Sequence, residues 1–253
     1  MTATETAAPP GRLRWRAADV AEVITETPRV KSLILRVPGW PGHRAGQHLD
    51  VRLTGEDGYQ AQRSYSIASA PEAAHVAIAV ERVEDGEVSP YLVETVQAGD
   101  RFELRGPIGG YFVWTAALDG PLFLIAGGSG IAPLMAMLRH RAAARATVPA
   151  RLLYSSRAFD DIIFRAELER LAAAGSGLEV THTLTRSQPP GWRGETRRVD
   201  RDMLLGAGFP PSARPLTYVC GPTGLVEAVA QTLLEIGHAP SLIKTERFGP
   251  TGR

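Results

Sequence analysis

The sequence predicts a β + α/β protein: an antiparallel β-barrel followed by a parallel-sheet α/β domain. Two observations carry this. In the first half, apolar and polar residues alternate with a period of two, the pattern of half-buried strands. In the second half, short apolar strands alternate with helical runs through short connections. The change falls near Leu118 to Pro121, which divides the chain into residues 12–117 and 118–253.

In the first half KSLILRV, QHLDVRL and HVAIAVERV alternate most clearly, and GEDG (Gly55 to Gly58) and EDGE (Glu84 to Glu87) are turn chemistry between strands. About six such strands suit an antiparallel barrel. One short helix is expected inside it, with Ser89 as N-cap and Pro90 at the first helical position before YLVETV.

In the second half the order is LFLIA, IAPLMAMLRHRAAA, ARLLYSS, DIIFRAELERLAAA, LEVTHTL, DRDMLLGA, LTYVC, LVEAVAQTLLEIG and SLIKTER. Sheets of this kind bind ligands at the carboxyl ends of their strands. Asp160 and Asp161 read as the N-cap of the second helical run. Arg139, Arg141 and Arg145 read as the solvated polar end of the first, ahead of the alternative that they meet an acidic partner.

Composition excludes several classes. The 28 basic residues nearly balance the 27 acidic ones, which argues against a nucleic-acid binder. The single cysteine, Cys220, permits no internal disulfide and no thiolate cluster. The six histidines are scattered without metal-ligand spacing, so no metal site is expected. The opening MTATETAAPPG has neither a basic start nor an apolar run, and so does not read as a signal peptide. PLFLIAGGSGIAPLMAML is apolar, but Gly127, Gly128, Gly130 and Pro133 make it a strand, a turn and a buried helix and not a membrane span. A cytoplasmic location is the expectation.

Four short motifs could carry chemistry. Gly127, Gly128, Ser129 and Gly130 lie between a strand and a helix, where glycines permit close approach and a helix start offers N–H groups to a phosphate. A plain tight turn would look the same, and Pro133 departs from the common dinucleotide fingerprint. Arg63-Ser64-Tyr65-Ser66 ends an alternating strand: Arg suits a pyrophosphate, Tyr a flat ring, Ser a ring nitrogen, although taken alone the tetrapeptide reads better as an ordinary barrel strand. Cys220-Gly221-Pro222 stands at a strand end, although a lone cysteine is more often inert core. Glu246 to Phe248 follow the last strand, where a solvated end is the bland alternative.

Taken in order, RSYS, GEVSPYL, GPIGGYF, GGSGIAP, CGP and the terminal acidic–aromatic pair resemble the ferredoxin–NADP reductase family, from about Arg14 onward. The resemblance implies a barrel holding a flavin, usually FAD, and a parallel-sheet domain holding NAD(P)H. It implies Arg63 on the flavin pyrophosphate, Tyr65 stacked on the isoalloxazine, Ser66 near N5, and Gly86 and Ser89 as a second phosphate contact, with Ser64 in the same strand. Gly106, Pro107 and Gly109 match the closing barrel turn. The GGSGIAP run would hold the nicotinamide cofactor's pyrophosphate, and Cys220, Gly221 and Pro222 would lie beside the nicotinamide. Ser66, Cys220 and Glu246 would surround the hydride path, positioning what the cofactors react. Phe248 stands where plant-type members place an aromatic over the flavin, but here GPTGR continues the chain. Leu225 replaces the methionine that many members carry after CGP.

Ser156, Arg157 and Arg186 follow strands, and Arg193, Arg197 and Arg198 lie beyond; arginines there favour the 2′-phosphate of NADPH over NADH, unless they are only solvated surface. The resemblance implies an oxidoreductase that takes a hydride from NADPH onto FAD. Electrons would then pass to a separate acceptor such as a ferredoxin, a flavodoxin or an oxygenase component, since no iron–sulfur domain can be built here. Two other readings stay open: a reductase of free flavin or ferric chelates, and a non-catalytic flavin relay subunit. Retention of Cys220 and Glu246 argues against the last.

Overall fold

A computed structural model describes residues 13–249. The expected barrel is formed by β1 (Arg16–Thr27), β2 (Val30–Arg36), β3 (His48–Thr54), β4 (Gln60–Ser66), β5 (Val76–Glu81) and β6 (Arg101–Ile108). All pairings are antiparallel, in the order β4-β3-β6-β1-β2-β5. The two edges meet just past β4, where Ile67 bridges Ile78 and the Ala68 N–H donates to the Ala77 carbonyl at 2.7 Å. Closure removes the exposed strand edges. Alternation turns Leu33, Leu35, Leu49, Val51, Ile78 and Leu104 into a fully buried interior.

The helix α1 (Ser89–Glu94) forms where expected, but Ser89 is not its N-cap. Val88 holds that position without a side-chain bond, and the Ser89 hydroxyl instead accepts the Val83 N–H at 3.1 Å. Ser89 thus braces the preceding turn, whose Gly86 N–H donates to the Val83 carbonyl.

The second sheet contains β7 (Leu122–Gly127), β8 (Ala150–Ser156), β9 (Leu178–Leu184), β10 (Leu216–Pro222) and β11 (Ile243–Phe248), all parallel, in the order β11-β10-β7-β8-β9. Every residue of β7 is buried, as a central strand covered on both faces requires. The covering helices are α2 (Ile131–Ala143), α3 (Arg165–Ala173), α4 (Arg201–Ala207) and α5 (Thr223–Glu235). On one face Phe123, Ile125 and Val219 pack with Met203 and Leu204 of α4 and with Val226 and Leu233 of α5. On the other, Leu124, Tyr218 and Cys220 pack with α2 and α3 and also with Ala68, Phe112 and Trp114 from the barrel side. One apolar cluster therefore spans both sheets, beside separate cores inside the barrel and under α4 and α5.

Two expectations fail here. Asp160 and Asp161 cap no helix: they lie in a short 3-10 turn, and α3 begins only at Arg165, after Phe164 with φ 58°. Ile162, Ile163 and Phe164 are all buried, and three successive residues cannot share one helical face. Of the three arginines read as a solvated end, Arg145 is exposed just past α2, but Arg139 and Arg141 are not solvated. Arg141 is buried and donates to the Val148 and Ser176 carbonyls, and Arg139 bridges to the barrel. No helix among the described residues is long and apolar enough to cross a membrane.

Candidate active site

Strands β7 and β10 are neighbours, but the chain leaves β7 for β8 on one side and reaches β10 on the other. Their carboxyl ends therefore flank a topological switch point, the crevice where such sheets bind ligands. Gly128 to Gly130 form a 3-10 turn after β7, leading directly into α2. Gly128 has φ 54°, and a Cβ on Gly130 would fall 2.2 Å from the Cys220 carbonyl oxygen. The glycine turn is thus packed backbone to backbone on the CGP strand end. The first turn of α2 carries no acidic residue, so its positive dipole end can meet an anion, although the Ile131 N–H already donates to the Gly128 and Ser129 carbonyls and Pro133 has no N–H to offer.

The hydroxyl of Tyr154 donates to the Gly128 carbonyl at 3.1 Å and accepts the Ile163 N–H at 3.3 Å. Tyr154 is fully buried on β8 and buttresses the turn from below. Sequence reasoning missed it. The only signal was a tyrosine closing the apolar run of β8, whose hydroxyl must find a partner when buried.

Glu246 to Phe248 do not follow the last strand but lie within β11, and Cys220 and Glu246 are register partners in the β10–β11 pair. The Cys220 Sγ lies 3.9 Å from Glu246 Oε2. Cys220 is fully buried, and burial first, then the neighbouring carboxylate, push its thiol well up. Burial also lifts the Glu246 carboxyl to about 7, opposed in part by the hydrogen bond from Cys220. A thiol that stays protonated beside a carboxyl poised near neutrality can orient and hold a proton, but it is not a nucleophile.

On the barrel side, Ser66 is buried and its Oγ has no partner. Tyr65 is half-buried against the barrel core, and burial raises its phenol. Arg63 is exposed and pairs with Glu87 at 3.3 Å, in the loop that holds Gly86 and leads to Ser89 at the start of α1. Arg63, Gly86 and Ser89 are thus brought to one rim. Ser64 behaves differently: its Oγ donates to Asp50 at 2.6 Å, so its side chain is already engaged. Glu87, which also accepts from the Tyr59 hydroxyl, was not singled out from the sequence.

Among the arginines, Arg157 and Arg186 are exposed at the ends of β8 and β9 and are joined by the Arg186 N–H to the Arg157 carbonyl at 2.9 Å. Ser156 is buried with an unpartnered Oγ. Arg197 is occupied by Glu195 and Asp200. Phe248 is register partner to Pro222 and packs partly buried against the shared core. Gly221 is buried and Pro222 exposed. The Thr223 Oγ1 that follows is buried and unpartnered.

These residues fit a flavin and a nicotinamide dinucleotide. Three hydroxyls, those of Ser66, Ser156 and Thr223, are buried without partners, a costly state unless a ligand or water supplies one. Gly128, whose Cβ would meet nothing within 4 Å, leaves open space beside the start of α2.

The chain matches the oxidoreductase FAD-binding domain over residues 20–113 and the oxidoreductase NAD-binding domain over residues 124–231. It is 33% identical to the glycine betaine monooxygenase reductase subunit of Chromohalobacter salexigens, over 82% of this chain and 56% of that one. It is 30% identical to NADH-cytochrome b5 reductase 1 of Aspergillus terreus, over 76% and 67% respectively. Among solved structures, the flavohem-like FAD/NAD-binding domain of nitric oxide dioxygenase from Vibrio cholerae O1 biovar El Tor superposes with a TM-score of 0.83 at 26% identity, covering 93% of this chain and 99% of that one. The chain spans between 56% and 64% of the length of four curated relatives.

Proposed function

The chain belongs to the FAD- and NAD-binding oxidoreductases of the ferredoxin reductase type, and we propose that it takes a hydride from NADPH onto FAD and passes electrons one at a time to a separate acceptor. The acceptor is of the ferredoxin, flavodoxin or oxygenase-component kind. Residues 12–117 form the flavin domain and residues 118–253 the nicotinamide domain, and the protein works in the cytoplasm.

The observation that carries this reading is the Cys220–Glu246 pair, set at the switch point on the face of the sheet that packs against the barrel. Each residue then has a task. Arg63 neutralises one phosphate of the flavin's pyrophosphate, aided by the Gly86–Ser89 turn. In doing so it exchanges Glu87 for a stronger anionic partner. Tyr65 offers its ring as a flat support, and the unpartnered Ser66 Oγ donates to a ring nitrogen. Gly127, Gly128, Ser129 and Gly130, with the start of α2, hold the second pyrophosphate. Cys220, Gly221, Pro222 and Glu246 shape the nicotinamide slot, and Phe248 borders it. Arg157 and Arg186, with Ser156, receive the 2′-phosphate. The bound cofactors supply the hydride and electron chemistry, and the residues exclude water and fix the approach.

Anaerobic titration of the flavin-loaded protein with NADPH and with NADH, followed by visible absorption, tests this. Bleaching by NADPH at far lower concentration than by NADH is the expected result. Flavin that neither cofactor reduces would overturn the reading.

A further inference from the structure

We propose that two polar clamps across the seam between the sheets are positioning devices: the Tyr218–Lys244 pair on the Val113 carbonyl, and Arg139 on the Ala68 carbonyl. The inference rests on the function proposed above, since what the clamps position is Ser66 against Cys220 and Glu246.

The Val113 carbonyl lies in the segment joining the barrel to β7. It accepts the Tyr218 hydroxyl at 2.7 Å and the Lys244 ammonium at 3.3 Å. Tyr218 and Lys244 are register partners, as are Cys220 and Glu246 two residues further along the same two strands. Side chains two apart on a strand share a face. The clamp and the proposed hydride site are therefore consecutive rows of one strand pair. Tyr111 reinforces the first clamp, its hydroxyl donating to the Ile243 carbonyl at 3.3 Å.

The second clamp stands on α2, the helix that starts at the glycine turn. Arg139 Nη1 donates to the Ala68 carbonyl at 2.8 Å, two residues beyond Ser66. Its Nε and Nη2 are held by Glu167 at 3.0 and 2.6 Å, and its guanidinium lies 4.8 Å from the centroid of the Phe164 ring. One residue on, His140 Nδ1 meets Glu72 at 2.6 Å. The first clamp thus starts two residues from Cys220 and Glu246, and the second reaches a carbonyl two residues from Ser66, both donating from the parallel-sheet half.

Apolar packing alone, with Phe112 and Trp114 in the shared core, holds the two halves together but is not directional. Hydrogen bonds are directional and, with a charged donor, strong. Two such contacts on separate carbonyls fix translation as well as contact. Hydride transfer is sensitive to displacements of about 1 Å, so the clamps act on rate and not on cofactor affinity.

The test uses Tyr218→Phe, which keeps the ring edge-on to Phe112, combined with Lys244→Met, which keeps the aliphatic stem; Arg139→Gln and Arg139→Lys probe the second clamp. Amide exchange is read across 66–70 and 111–117 in the flavin-free protein. The limiting rate of flavin bleaching by NADPH, the dissociation constant and the long-wavelength nicotinamide–flavin charge-transfer absorption are read in the loaded protein. Expected are faster exchange in those two segments, a limiting rate down roughly tenfold or more with affinity within about twofold, and a weakened charge-transfer band. Arg139→Lys, which can still donate to Ala68, should recover part of the loss. Unchanged seam exchange overturns the proposal, as does loosened exchange with unchanged rate and absorption. If the wild-type flavin is bleached by neither cofactor, the functional reading fails by itself, and the exchange data alone judge the clamps.

Discussion

Cys220 and Glu246 face each other across the β10–β11 pair, Sγ to Oε2 at 3.9 Å, with the thiol fully buried and the carboxyl raised to about 7. The two shifts share their leading cause, burial, and each group's neighbour modifies it. The pair therefore carries one proton more than an exposed pair would at mildly acidic pH.

The sign for stability follows from this. The folded carboxyl binds its proton more tightly than the unfolded one, whose ordinary value is 4.5. Stability falls as pH rises from there to about 7, and the cost is complete above that value. Glu246→Gln should flatten this profile and be more stable than the wild type at pH 8 by roughly 1–3 kcal/mol. Thermal denaturation across buffers from acid to pH 8 reads it; a wild-type profile that parallels the variant's would refute the buried-carboxyl account.

Removing only the hydroxyl of Tyr154 should loosen the glycine turn. Tyr154→Phe leaves the ring in place but frees the Gly128 carbonyl and strands the Ile163 N–H. An unpartnered buried group costs about 1–3 kcal/mol. The variant is expected to bind the nicotinamide cofactor about tenfold more weakly, with flavin content unchanged. Calorimetric titration against a non-reacting NADP+ analogue would decide it.

Much of this arrangement was legible in the sequence. The period-two segments became the barrel, and the strand–helix alternation became the parallel sheet. GGSG and CGP fell at adjacent strand ends because a parallel sheet brings its carboxyl ends to one edge. What was not legible depends on contacts distant in sequence. The Ser64 hydroxyl went to Asp50, and Arg197 to Glu195 and Asp200, and no periodicity reports such pairings. The late start of α3 followed from three buried residues that local helix signals do not weigh. Tyr218 and Lys244 looked like ordinary strand residues, since the Val113 carbonyl that engages them is more than 100 residues away.

Cofactor choice should yield to two substitutions. Arg157 and Arg186 are exposed, joined through backbone, and without an ion pair among the described residues, so their guanidinium groups stand ready for an anion. Replacing both with alanine is expected to raise the dissociation constant for NADPH roughly 10- to 100-fold, or about 1.4–2.8 kcal/mol, while leaving that for NADH within about twofold. Equal weakening for both cofactors would show that the pair supports the fold and not the 2′-phosphate.

Gly130 gives the sharpest steric test. A methyl group there would meet the Cys220 carbonyl oxygen at 2.2 Å and the Gly221 Cα at 2.7 Å, all of it backbone that no rotamer change can move. Gly130→Ala must therefore push the glycine turn off the CGP strand end, opening the crevice between β7 and β10. Overpacking of this kind costs about 1–3 kcal/mol. The barrel is built from other strands, so the flavin should stay bound while nicotinamide binding is lost. Gly128→Ala separates the two effects: its Cβ meets nothing within 4 Å, and the penalty there is only the strain of φ 54°. The expected order of nicotinamide affinity is wild type, then Gly128→Ala, then Gly130→Ala, measured by equilibrium titration on flavin-loaded protein. A Gly130→Ala protein that binds as the wild type does would mean that the turn and the CGP strand end do not form one site.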